Sequence, residues 1–193
     1  MILVALLVAN RQQTLEAVIR RLFSDSGKKI SIVDTKKIRD LNTHLQLLDE
    51  SGTDVAFVRI WDDGVEARLC SGLFFDVVVY DNMAAEEMRC KGISKNLHPK
   101  TIIVSNGDDS AIPEFAEGIK ACVITYGLGQ KCCVFPSCID VGQDLRFNAC
   151  IQRKFITLDG REVEVGEIVV ELDGGNINIY DALAAVVLRI LVD

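Results

Sequence analysis

Apolar residues run unbroken from Ile2 to Ala9 (ILVALLVA). A run of that length fits a parallel strand buried on both faces. The period then changes. From Thr14 to Phe23, the apolar residues Leu15, Val18, Ile19, Leu22 and Phe23 recur at helical spacing, with Arg20 and Arg21 on the other side. That spacing predicts an amphipathic helix. Ser24–Gly27 ends it, and Ile30–Val33 begins a second strand. Thr35–Leu48 reads as a helix with Ile38, Leu41, Leu45 and Leu48 along one side. Asp54–Ile60 and Phe75–Tyr80 read as strands, and Ala84–Cys90 as a short helix. Thr101–Val104 is a strand running into Asn106-Gly107-Asp108-Asp109. Ile112–Lys120 is a short helix with Pro113 in its first turn, where proline is tolerated. Cys122–Thr125 is a further strand. Strands alternating with helices predict an α/β domain with a mainly parallel sheet, helices on both faces and right-handed crossovers.

From Gln130 the pattern becomes all strand. Lys131–Asp140, Leu145–Thr157 and Glu162–Leu172 read as extended, the last two joined through the hairpin signal Asp159-Gly160. They predict a small antiparallel layer. Asp181–Val192 is an apolar helix capped by Asn178 or a residue nearby, and Asp181 in the first turn suits the helix dipole. The chain reads as one domain over 1–193, made of an α/β sheet portion (1–129), antiparallel strands (130–175) and a C-terminal helix (178–193).

Composition narrows the class. Of the 193 residues, 49% are hydrophobic and 25% charged, enough for a core that needs no disulfides. The net charge is −7 with no basic cluster, which argues against nucleic acid and anionic membranes as partners. No apolar run reaches membrane-spanning length. Met1–Asn10 lacks a basic flank and a small-residue cleavage site, so it reads as a strand and not as a signal peptide. Seven cysteines, an odd number, suggest reduced thiols in the cytoplasm. Cys132, Cys133 and Cys138 cluster as C-C-x4-C, without the second pair a zinc ribbon needs. Buried structural thiols are the reading taken, with Cys132 and Cys138 on one strand face and Cys133 on the other. His44 and His98 have no nucleophile partner visible in the sequence.

Four segments carry a family resemblance. The first is Arg68 followed by Gly72-Leu73 and Phe75-Asp76-Val77-Val78-Val79, with Asn82 beyond. The second is Val104-Ser105-Asn106-Gly107-Asp108-Asp109. The third is Val123-Ile124-Thr125-Tyr126-Gly127-Leu128. The last is Gly175, Asn178 and Tyr180-Asp181-Ala182-Leu183-Ala184-Ala185. In this order they resemble the "FDVAVfTN", "vNADD", "vitYGl" and "GxHNxyNalAA" segments of the Mur ligase superfamily's central, ATP-binding domain. Folylpolyglutamate and cyanophycin synthetases are relatives of that superfamily. The resemblance covers almost the whole chain. It implies a P-loop-NTPase-like sheet and a crevice that holds ATP and magnesium.

The catalytic elements of that family are where the sequence departs. Its phosphate loop, GTxGK(S/T), is here Ala9-Asn10-Arg11-Gln12-Gln13-Thr14, in which only Thr14 survives. The glycines that let backbone N–H groups reach phosphate and the lysine that meets the terminal phosphates are gone. Arg59 stands where the family's magnesium-binding glutamate belongs, and Glu87 stands for its histidine. Asp62, Asp81, Glu86 and Glu87 have the chemistry of a different hard-ion site, but a solvated acidic face is the reading taken. The excursion that carries the family's modified lysine is shortened to Met88–Lys100. The flanking substrate and amino-acid domains have no counterpart in these residues.

What the resemblance leaves is a nucleotide-like crevice of Thr14, Asn82, Asn178 and Asp181. Asn178 is either an adenine ligand or a helix cap, and Asn106, Asp108 and Asp109 are either ligands, caps of the Ile112 helix or turn residues. No catalytic or metal-binding residue is assigned. The function implied is a non-catalytic Mur-ligase-like domain that binds a partner protein, a second copy of itself or a small ligand. Its link to cell-wall precursors comes from the family alone. The alternative is a component of an ATP-dependent acid–amino-acid ligase completed by another chain, with ATP and magnesium as cofactors.

Overall fold

The computed structural model describes residues 1–8, 12–60, 70, 72–81, 96–108, 121–174 and 177–193. The helices read over Ala84–Cys90 and Ile112–Lys120 lie outside the described residues. The strands are β1 (Ile2–Val8), β2 (Ile30–Asp34), β3 (Val55–Arg59), β4 (Phe75–Asp81), β5 (Leu97–Asn106), β6 (Cys122–Tyr126), β7 (Val134–Val141), β8 (Leu145–Ile151), β9 (Phe155–Ile156), β10 (Glu162–Val163) and β11 (Gly166–Leu172). The α-helices are α1 (Gln12–Phe23), α2 (Leu41–Glu50) and α3 (Ile179–Val192). Among the described residues, nine strands form the main, mixed sheet, while β9 and β10 form a separate antiparallel pair. This is the predicted α/β class with a small antiparallel addition. Among the described residues, no helix is long and apolar enough to cross a membrane.

The chain divides into two compact units. The first comprises Met1–Gln12, Gly27–Ile103 and Ala111–Val123. In it β1 lies between β3 and β4, parallel to both, and β2 pairs with β3 in parallel. Val4, Ala5, Leu6 and Leu7 are all buried, as a strand covered on both faces requires. Ala5, Leu7, Ala56, Val58, Val78 and Tyr80 alternate on one face and cluster with Leu41 and Leu45 of α2.

The helix predicted over Thr35–Leu48 divides in two. A 3-10 turn covers Thr35–Lys37, Ile38 is extended, and α2 starts only at Leu41. Two aspartates cause the break. Asp34 accepts from the Lys36 amide and Asp40 from the Thr43 amide, so each side chain starts a new turn.

The second unit comprises Gln13–Ser26, Val104–Ser110 and Ile124–Asp193. Here β7, β8 and β11 run antiparallel, and β7 meets β6 in parallel at Val134 and Tyr126. Leu145, Phe147, Ala149 and Ile151 alternate onto the buried face of β8. Helix α3 packs on β7 and β8 with Ala182–Leu188 buried. Arg189 joins it to α1, donating to the Leu22 carbonyl at 3.2 Å and lying 5.5 Å over the Phe23 ring.

Two readings in this unit need correction. The strand read over Leu145–Thr157 ends at Ile151, where the Gln152 amide turns to the Cys133 carbonyl. The Asp159-Gly160 turn does form a hairpin, between the short β9 and β10, and β8 pairs antiparallel with β11 as read. Cys132, Cys133 and Cys138 also do not share strand faces. The first two precede β7, and Cys138 sits at a register shift between Ser137 and Asp140 with φ +51°. A bulge re-aims the side chains beyond it.

Candidate functional site

Strand β5 ends at Asn106, followed by Gly107 and Asp108. The Asp108 amide donates to the Asn106 side-chain oxygen at 3.1 Å, an Asx turn. That turn aims the Asp108 carboxylate at the loop after β6. One oxygen accepts from the Leu128 amide at 2.5 Å and from the Tyr180 hydroxyl at 3.2 Å. The other accepts from the Gly129 amide at 3.0 Å. Asp108, itself exposed, therefore holds the 127–129 loop.

The close approach dictates glycine. A Cβ at Gly127 would sit 2.7 Å from an Asp108 oxygen and 2.9 Å from the Cys132 sulfur, and one at Gly107 would sit 2.7 Å from that sulfur. Cys132 is buried beside Asp108. Burial first, then the carboxylate, push its thiol pKa up, so it stays protonated and unreactive. Sequence reading assigned Asp108 to a cap or turn and missed this latch. Its signal was the acid flanked by Gly107, Gly127 and Gly129.

Asp108 reaches Tyr180 in the first turn of α3, and the next residue reaches elsewhere. Asp181 is only 2% exposed. Its carboxylate accepts from the Thr14 hydroxyl at 2.5 Å. Two of the four sequence-derived crevice residues are thus bonded to each other. Asn178 is the N-cap of α3, its side-chain oxygen accepting from the Tyr180 amide at 2.9 Å. Asn82 lies outside the described residues, as do Ala9–Arg11 of the degenerate phosphate loop, Asp62, Glu86, Glu87 and Asp109.

The first unit holds the other departure. Arg59 is at the carboxyl end of β3, in register with Asp34 of β2. Its side chain is 9% exposed, and its guanidinium donates to the Asp34 carboxylate. The Thr35 hydroxyl closes the arrangement on the Arg59 carbonyl at 2.7 Å. The carboxyl edge of a parallel sheet is where α/β proteins bind ligands, and here a buried ion pair occupies part of it. Among the described residues, no group of three or more His, Cys, Asp or Glu side chains is arranged to hold a metal ion.

Neither a family model nor a curated protein sequence matches the chain. Solved structures do. MurF from Acinetobacter baumannii superposes with a TM-score of 0.66 at 16% identity over 98% of this chain and 42% of that one. By fold, this is a Mur-ligase-like domain. MurF from Thermotoga maritima, in complex with ADP, gives a TM-score of 0.60 at 14% identity over 98% of this chain and 45% of that one. A bifunctional folylpolyglutamate synthase/dihydrofolate synthase from Yersinia pestis, complexed with AMPPNP and a manganese ion, gives 0.58 at 12% identity over 100% and 53%. The Mur-ligase-like chain therefore spans about half the length of the solved structures it matches.

Proposed function

We propose that this is a non-catalytic Mur-ligase-like domain, which binds a partner and performs no phosphoryl transfer of its own. The observation that carries the reading is the internal pairing of residues at the positions where the family resemblance puts nucleotide and metal. Thr14 is bonded to Asp181, and Arg59 to Asp34. Phosphoryl transfer depends almost wholly on positioning and on neutralising phosphate charge. A guanidinium at the metal position repels magnesium, and its charge is already matched by Asp34. The described residues do not fit a magnesium nucleotide.

ATP hydrolysis by the purified chain with magnesium tests this reading. The expected rate is that of the solution without protein. Magnesium-dependent turnover abolished by Thr14→Val would overturn it. The ligase-component reading, in which another chain completes the site, keeps one observation in its favour: Asn106 and Asp108 still stand at the carboxyl end of β5. Turnover appearing only with an added protein would support it.

A further inference from the structure

Strand β11 is the last strand of the main sheet, and among the described residues nothing pairs with its outer side. It is seven residues long, Gly166-Glu167-Ile168-Val169-Val170-Glu171-Leu172, and contains no proline. Unpaired N–H and C=O groups along such an edge are a template for another strand. Two of its four apolar residues are poorly covered: Val169 is 72% exposed and Ile168, on the opposite face, 40%, while Val170 and Leu172 are buried.

The charges select the occupant. Side chains alternate along a strand, so Glu167, Val169 and Glu171 share one face. Glu167 accepts from Asn148 at 2.9 Å, and Glu171 lies 3.8 Å from Arg146 with 60% of its side chain exposed. Each carboxylate has two oxygens and about four lone pairs, so each keeps accepting capacity. A second copy of the chain is a poor occupant. Antiparallel pairing centred on Val169 sets Glu167 against Glu171 at both ends, and like charges directly opposite destabilise a sheet.

We infer that the β11 edge receives an extended strand from a basic partner, with lysine or arginine facing Glu167 and Glu171 and an apolar residue facing Val169. The partner segment has the pattern basic-x-apolar-x-basic. Backbone hydrogen bonds along the edge supply the pairing, and the two glutamates set the specificity. The inference does not rest on the nucleotide-binding state of the domain. ATP turnover would overturn the proposed function and leave this edge as it is.

The test is fluorescence anisotropy with the labelled peptide Thr-Lys-Thr-Val-Thr-Lys-Thr and a control carrying Glu in place of both Lys. The expected result is saturable binding of the basic peptide, weakened by salt, with the acidic control bound at least about tenfold more weakly. Glu167→Lys with Glu171→Lys reverses that preference, and Val169→Lys weakens the basic peptide while circular dichroism stays unchanged. Equal binding of the two peptides, or no binding of the basic one at about 1 mM, would overturn the inference. So would a dimer in sedimentation that Val169→Lys dissociates, because it gives the edge to a second copy.

Discussion

The Thr14 hydroxyl donates to the Asp181 carboxylate across 2.5 Å, tying the first turn of α1 to the first turn of α3. Both positions match nucleotide-site positions in the Mur ligase resemblance, and here each is the other's partner. Thr14→Val keeps the side chain's shape and removes the donor. It should cost about 1–3 kcal/mol in urea unfolding, because a buried carboxylate loses a hydrogen bond. Thr14→Ser should recover most of that loss.

The Asp108 latch makes a local prediction. Asp108→Ala removes the acceptor for the Leu128 and Gly129 amides and should destabilise by on the order of 2 kcal/mol. Hydrogen exchange at those two amides should accelerate more than exchange in β8. Gly127→Ala, whose Cβ would meet Asp108 and Cys132 inside 3 Å, should cost about 1–3 kcal/mol by overpacking. Gly142→Ala, with nothing within 4 Å of its Cβ, should stay within about 0.5 kcal/mol of the parent.

Arg59→Glu restores the carboxylate that the Mur ligase pattern has at this position. It also sets two acids side by side, the introduced glutamate against the partly exposed Asp34. The variant should lose about 3–5 kcal/mol, the range for a buried pair deprived of one partner. Asp34→Asn in the same chain should recover part of it. Thermal unfolding with and without magnesium checks the alternative, since a midpoint restored by the ion would mean that the metal site is still built.

Asp40 gives the pH dependence a definite sign. Hydrogen bonds from the Thr43 hydroxyl and the Thr43 amide hold its carboxyl below the ordinary value of 3.8. A folded pKa below the unfolded one stabilises above the unfolded value, and that contribution disappears as pH falls through the folded value. The stability difference between the parent and Asp40→Ala should therefore be constant from neutral pH to about 4 and shrink below it. Denaturant titrations from pH 6 to about pH 2.5 measure it.

The fold was legible because its strands declare themselves locally. Ile2–Val8 and Val55–Val58 are apolar on both faces, α1 carries apolar residues at helical spacing, and α3 is a long apolar run opened by a cap. The sequence also placed Asn178 as a cap, which needs only its own helix. What escaped it is non-local. Thr14 and Asp181 are 167 residues apart in the chain, and no periodicity joins them. Asp34 and Arg59 meet only through strand register. The latch from Asp108 to the 127–129 loop also needs a segment that returns only after β6, which local rules do not connect to it. The Cys132–Cys138 spacing misled because a bulge and a positive φ at Cys138 break the alternation that face assignment assumes.

The most direct test of the central claim is isothermal titration of the purified domain with ATP and magnesium. No saturable heat at millimolar nucleotide is expected, and ATP should leave the unfolding midpoint unmoved. Micromolar binding that Thr14→Val abolishes would contradict the claim, because Thr14 would then serve phosphate and not Asp181.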